Sequence, residues 1–184
     1  MTTRVSLPGM RSPGAGFDQP FEMLDACHDR VRRSLDLLRR LRDYLRGHGH
    51  GCDDSARQAA RDVLRYFDIA APLHHEDEEL HVFPPLLAQE HDAPLVTLVR
   101  QLQRDHVRMA ERWATARGPL QAMADGQLPA FSAEHEAALD GFAECYADHL
   151  RHEDDSIYPA ARALLDLGAQ SAMGQEMARR RGVR

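Results

Sequence analysis

Cysteine is scarce in this sequence. The 184 residues include only Cys27, Cys52 and Cys145, and no two of them form a Cys-x-x-Cys pair. An odd number of widely spaced cysteines argues against both a disulfide framework and a structural zinc site. We therefore expect free thiols and a reducing compartment.

Long apolar runs and an excess of positive charge are also lacking. No segment approaches the roughly 18 uncharged apolar residues of a membrane-spanning helix. The first residues, MTTRVSLPGMRSPGAG, hold no apolar stretch typical of a signal peptide. The formal net charge of −6 gives no strong attraction to nucleic acid or to an anionic membrane. These features predict a cytoplasmic protein that binds neither nucleic acid nor a membrane.

The alternation of apolar and polar residues that is typical of β-strands is absent. Apolar residues recur instead at helical spacing in four segments, which begin near Asp18, Asp53, Pro94 and Phe131. Long amphipathic helices with short connections favour an up-down-up-down four-helix bundle. We therefore predict an all-α protein, with a flexible N-terminal tail over 1–17, the bundle over 18–167 and a C-terminal tail over 168–184.

Prolines interrupt the second of these segments. Pro72 lies in the helix interior and predicts a kink. The pair Pro84–Pro85 predicts that the helix ends or bends there.

Histidine is abundant, with 11 residues, and its special uses are metal ligation, proton transfer and pH sensing. Two stretches of equal length match each other: HHEDEELHVFP at 74–84 and HLRHEDDSIYP at 149–159. Both have histidine first, glutamate fifth, an acidic residue sixth, and an aromatic residue and proline at the end. Each follows a helix that carries one histidine on its apolar face, His28 and His106 respectively. The two halves of the chain therefore repeat one pattern.

The spacing within the repeat brings ligands together. Residues four apart lie on one face of a helix, so each His-x-x-x-Glu can reach one point in the core. Buried ionised carboxylates need partners, and no lysine or arginine lies beside them on these faces. Two cations bridged by the glutamates, with two histidines on each, would supply the missing charge. The candidate metal ligands are His28, His74, Glu78, His106, His149 and Glu153.

The ligand types narrow the choice of metal. Imidazole and carboxylate without thiolate suit iron or manganese, and zinc is possible. The alternative is a metal-free interaction bundle, which has to explain six inward polar residues in two matching halves.

These motifs resemble those of the hemerythrin-like HHE cation-binding proteins. The resemblance covers about Asp18 to Leu167, and CHDR around His28 and RDHVR around His106 match the helices that carry one histidine. It implies a four-helix bundle with two oxo- or hydroxo-bridged iron ions. In it the four histidines are terminal ligands, and Glu78 and Glu153 are bridging carboxylates.

The sequence departs from the oxygen-carrying hemerythrins in two places. The residue four after His106 is Ala110, so their fifth histidine is missing there, which puts reversible O2 carriage in doubt. They also use His-x-x-x-x-Asp on the last helix, which Asp154 satisfies, whereas the internal repeat favours Glu153.

Several functions fit these features. We expect a non-catalytic di-iron protein that binds or senses O2, NO or a related small molecule. The alternative is a redox enzyme, such as an oxidase or a protein that reduces peroxide or NO, or a protein that repairs iron–sulfur clusters. A ferritin-like carboxylate oxidase is disfavoured because only Glu78–His81 supplies the Glu-x-x-His motif of that class.

Two histidines outside the six have open roles, and a third is expected to lie away from the site. His75 lies about 100° around the helix from His74 and forms an alternative pair with Glu79. His81 is a candidate for a fifth ligand or for a hydrogen-bond partner of a ligand. His135 is expected on the apolar face of the fourth helix, too far along it to share the site.

Overall fold

The structure of the protein is a computed structural model, which describes residues 16–47 and 51–183. The N-terminal tail expected over 1–17 therefore lies outside the described residues, except for Gly16 and Phe17. Every regular element in the described part of the chain is helical, which confirms the all-α prediction. Its five helices are α1 (Pro20–Gly47), α2 (54–87), α3 (Ala93–Ala124), α4 (133–164, with a break at 144–146) and α5 (Leu167–Arg180). None of the described helices combines the length and the apolarity needed to cross a membrane.

Side-chain caps set the starts of four helices. The carboxylates of Asp53, Asp92 and Asp166 each accept a hydrogen bond from a backbone N–H in the first turn of α2, α3 and α5. Ser132 caps α4, and the His135 ring accepts the Ser132 N–H in return, forming a capping box. His135 is thus a capping residue at the start of α4, and not the apolar-face residue that the spacing indicated.

Helices α2 and α4 widen into π-turns just before three of their prolines. The π-turns are Tyr66–Ala70, Glu78–Val82 and Glu153–Ile157, and Pro72, Pro84 and Pro159 each follow two residues later. Because proline has no N–H, the carbonyl four residues earlier loses its usual donor and a wider turn is tolerated. The predicted kink and end of the second helix are therefore realised as π-turns, and α2 continues to Leu87.

The apolar core falls into two clusters. The first core cluster includes Val31, Leu38, Phe67, Met109 and Phe142. The second core cluster includes Phe21, Leu24, Phe83, Leu102 and Ile157. Along the chain, α1 and α3 run from the second cluster to the first, whereas α2 and α4 run from the first to the second. On each of these four helices, buried histidine or glutamate residues lie between the two clusters.

The segment 168–184 is not the tail that the sequence predicted, because most of it forms helix α5. Met173 and Met177 of α5 are buried in the second core cluster. Beyond them, Arg180 and Arg181 form ion pairs with Asp77, whose side chain is fully buried. Only two large apolar side chains anchor this helix, which is too weak a pattern to recognise in the sequence. These two arginines therefore neutralise a buried charge.

Candidate metal centre

The six predicted ligands all lie at the level between the two core clusters. Each of them is at most 8% exposed. α1 contributes His28, α2 contributes His74 and Glu78, and α3 contributes His106, while His149 and Glu153 come from α4. The structure therefore brings together, from four helices, all the side chains selected by the repeat.

One group of ligand atoms belongs to His28, His74, Glu78 and Glu153, and these atoms lie within 4.8 Å of one another. Nε2 of His28 is 3.2 Å from Oε2 of Glu153 and 3.8 Å from Oε1 of Glu78. Nε2 of His74 lies 3.5 Å from the same Oε1. We call this the first ligand group.

A second ligand group consists of His75, His106 and His149, again with ligand atoms within 4.8 Å of one another. The ring of His75 stacks on that of His106, with 4.1 Å between centroids and 14° between planes. The sequence left the role of His75 open. The structure places His75 in the second ligand group as a fifth imidazole, which comes from α2. In the oxygen-carrying hemerythrins the fifth histidine comes from the third helix instead.

The two glutamates lie between these groups. Glu78 directs Oε1 at the first group, and its Oε2 is 3.4 Å from Nε2 of His106. Glu153 directs Oε2 at His28, while its Oε1 is 3.0 Å from Nε2 of His149. Each carboxylate therefore divides its two oxygens between the two groups, as a bridging ligand does.

Further carboxylates lie beside the outer nitrogens of three histidines and hydrogen-bond two of them. Nδ1 of His28 lies 2.6 Å from Asp154, and Nδ1 of His106 lies 3.0 Å from Glu79. Nδ1 of His149 faces Asp105 at 3.7 Å. A carboxylate on Nδ1 leaves Nε2 free to bind a cation and orients the ring. Asp154 thus lies behind His28, whereas Glu153 faces the interior of the centre.

Many ligand atoms of the centre lack hydrogen-bond partners. Both oxygens of Glu153, one oxygen of Glu78, Nε2 of His106 and both ring nitrogens of His149 are buried and unsatisfied. Buried polar atoms without partners are costly. No lysine or arginine among the described residues forms an ion pair with Glu78 or Glu153. Nitrogen and oxygen donors that converge without their own partners fit metal cations.

Without a metal, protonated histidines offset part of the negative charge of Glu78 and Glu153. Burial lowers the pKa of His28, but the hydrogen bond to Asp154 and the nearby carboxylates of Glu153 and Glu78 outweigh it and raise the pKa to about 11. Burial is likewise outweighed at His106, where Glu78 and Glu79 raise the pKa to about 10. Burial and the charge of His106 hold the pKa of His75 well below its usual value. His75 is therefore a neutral imidazole, the form that binds metals.

Tyr158 is a residue of the centre that the sequence reasoning missed. Its hydroxyl donates a hydrogen bond to Oε1 of Glu78 and lies 2.8 Å from Nε2 of His28. Its backbone N–H donates to the carbonyl of Glu153, which closes the π-turn and places the ring one wide turn beyond that ligand. A sequence signal for this position exists, because each repeat has an aromatic residue five positions after its glutamate, followed by proline.

His81, which the spacing nominated, lies outside the centre. Its Nε2 contacts Glu176 of α5 at 2.7 Å. Seven residues normally make two helical turns, but the π-turn Glu78–Val82 between His74 and His81 changes that register. The ring consequently faces α5 instead of the core.

Comparison with known proteins agrees with this geometry. The chain matches the family described as Hemerythrin HHE cation binding domain over residues 19–161, and it belongs to that family. The resemblance inferred from the two repeated motifs is thereby confirmed. A relative from Haemophilus influenzae, named only as an uncharacterized protein, is 32% identical over 171 residues, covering 92% of this chain and 94% of the relative. The family match and the cluster of histidine and glutamate together indicate metal binding.

Proposed function

We propose that this protein holds two iron ions, joined by an oxo or hydroxo bridge, and there binds or senses O2, NO or a related small molecule. The observation that carries the proposal is the division of the oxygens of Glu78 and Glu153 between two groups of imidazoles. Bound iron would supply reversible redox chemistry and a site for a small ligand. Manganese and zinc share the same donor preferences and are the alternatives.

In this proposal the two ions differ in their ligands. His28 and His74 would hold the first ion and His75, His106 and His149 the second, with Glu78 and Glu153 in reach of both. The order in which α1 to α4 meet the two core clusters supports the up-down-up-down bundle around them. The first ion has one imidazole fewer than the second. A small molecule therefore has its place at the first ion.

The surroundings of the centre favour small, neutral ligands. The core clusters on both sides are apolar, and every predicted ligand is buried. A large or charged substrate would have to displace packed side chains or lose its hydration. O2 and NO, which are small, neutral and weakly hydrated, meet neither barrier.

The asymmetry also supports a second candidate, a di-iron redox enzyme that acts as an oxidase or reduces peroxide or NO. An ion with fewer protein ligands is the usual arrangement where a metal acts on a substrate. A sensor and an enzyme would share the same ligands and differ only in turnover.

Metal content and spectra test the proposal. Protein purified aerobically is expected to contain about two iron ions per chain and to show oxo-bridge charge-transfer bands. The double variant Glu78→Ala, Glu153→Ala should lose both, whereas the double variant of exposed residues Glu90→Ala, Glu144→Ala should keep them. Metal below stoichiometry in the native protein, or native spectra in the first variant, would refute a di-iron centre. Adding O2, NO or peroxide to the reduced protein, with product analysis, then separates binding from turnover.

A further inference from the structure

The phenol of Tyr158 lies among the atoms of the first ligand group. The side chain is 2% exposed, and its ring stacks on His28 with 4.9 Å between centroids and 20° between planes. Its oxygen is 2.8 Å from Nε2 of His28 and is hydrogen-bonded to Oε1 of Glu78. Both of these neighbouring atoms are proposed metal donors.

The 2.8 Å between the oxygen of Tyr158 and Nε2 of His28 matches the separation of two donor atoms on a single ion. Metal–ligand bonds of about 2.0–2.2 Å at right angles place adjacent donors about 3 Å apart. The same oxygen is hydrogen-bonded to Oε1 of Glu78, so it lies beside two atoms that both face the first ligand group. The oxygen of Tyr158 therefore lies where a further donor to the same ion would lie.

The internal repeat shows that only one of its two halves has an oxygen donor at this position. The residue that corresponds to Tyr158 is Phe83, which stacks on His106 with 5.6 Å between centroids and offers no donor atom. The residue that corresponds to His75 is Leu150. Each repeat therefore supplies one donor where the other has a hydrocarbon side chain. His75 adds to the second ligand group and Tyr158 to the first.

We propose that Tyr158 binds the ion held by His28 and His74, as a phenolate, at the place where a small molecule would bind. This inference rests on the proposed function. The phenol loses its proton to solvent as the metal–oxygen bond forms, and the oxidation state of the metal does not change. A small ligand has to displace the phenolate, so Tyr158 sets the affinity of the centre for that ligand.

The proposal predicts the metal preference as well. Phenolate is a hard, anionic oxygen donor, which favours trivalent iron over zinc. It also adds a third negative charge to those of Glu78 and Glu153, which partly balances two trivalent ions.

Spectroscopy of iron-loaded protein tests this directly. The wild type is loaded with iron(II) and oxidised in air, and its resonance Raman spectrum is recorded with and without ring-deuterated tyrosine. We expect phenolate vibrations that shift on deuteration. The Tyr158→Phe variant should keep about two iron ions per chain but lose these vibrations. The control Tyr146→Phe, which changes a buried tyrosine of the first core cluster, should keep them.

Azide is the probe for the position that Tyr158 fills. If the phenolate occupies it at least nine-tenths of the time, removing the hydroxyl raises the apparent azide affinity by about tenfold or more. Tyr146→Phe should bind azide as the wild type does.

The outcomes separate this inference from the proposed function. A wild type that binds two iron ions without tyrosine vibrations overturns the role of Tyr158 and leaves the di-iron centre standing. Unchanged azide affinity in Tyr158→Phe also overturns it. If the variant fails to fold, a wild-type spectrum without tyrosine vibrations still overturns the inference. A wild type without stoichiometric iron overturns both.

Discussion

The carboxylate of Asp154 lies 2.6 Å from Nδ1 of His28 and also accepts a hydrogen bond from Arg32. His28 is fully buried, whereas Asp154 and Arg32 reach the surface. This series of contacts connects the protein surface to a proposed metal ligand, and it holds the imidazole with Nε2 facing inwards.

Replacing Asp154 with asparagine should weaken metal binding. The variant keeps the shape of the side chain but loses the charge that orients His28 and strengthens it as a ligand. Loss of such a partner typically costs about 10–100-fold in metal affinity. Competition with a chelator measures the change. Asp155→Asn, at the exposed neighbouring position, should bind as the wild type does, and equal affinities in the two variants would contradict the role of Asp154.

Replacing His75 with leucine tests the fifth imidazole. Leucine occupies the matching position of the other repeat, at Leu150, so the side chain suits a helix at this level. We expect one of the two iron equivalents to bind at least about tenfold more weakly. Removing a metal ligand should lower the metal affinity at least as much as removing the hydrogen-bond partner of a ligand does. Anaerobic titration with iron(II) resolves the two equivalents. His91→Leu removes an exposed histidine and serves as the control. If His75→Leu retains two tight equivalents, His75 is not a ligand.

The ion pairs of Asp77 with Arg180 and Arg181 should stabilise the fold. The double variant Arg180→Gln, Arg181→Gln leaves a fully buried carboxylate without its cations, and breaking a buried pair in this way costs about 3–5 kcal/mol. The free energy of unfolding of the metal-free protein in urea measures the loss. Adding Asp77→Asn should recover part of it, because the buried charge is then gone. Arg179→Gln, at an exposed position, should change stability by no more than about 0.5 kcal/mol.

Two glycine substitutions should shift stability in opposite directions. A Cβ at position 174 would collide with the backbone carbonyl of Phe17, so Gly174→Ala should destabilise the protein by about 1–3 kcal/mol. At position 141 the nearest atom is Nη1 of Arg112 at 3.2 Å, the end of a flexible side chain. Gly141→Ala should therefore add the helix propensity of alanine, about 0.5–1 kcal/mol. Thermal unfolding of both variants checks the signs, and stabilisation by Gly174→Ala would refute the close contact of α5 with Phe17.

The sequence alone determined the helical class, the family and the six residues that meet in the core. The reason is that residues four apart share a helix face whatever the fold around them, and the pattern occurs twice. Only the tertiary structure decided which other side chains join them. His75 enters the centre because α2 packs its ring on His106 of α3, a contact between helices that no spacing within one helix reveals.

Register and weak anchors explain the remaining differences. The π-turns before Pro84 and Pro159 carry Tyr158 towards the centre and turn His81 away from it, so counting residues at α-helical pitch misplaces both. Helix α5 is held by two buried methionines and by the ion pairs of its arginines with Asp77. These contacts can be recognised only once the positions of α2 and α5 are known. Local periodicity thus identified the faces of the helices, and packing between helices decided what each face touches.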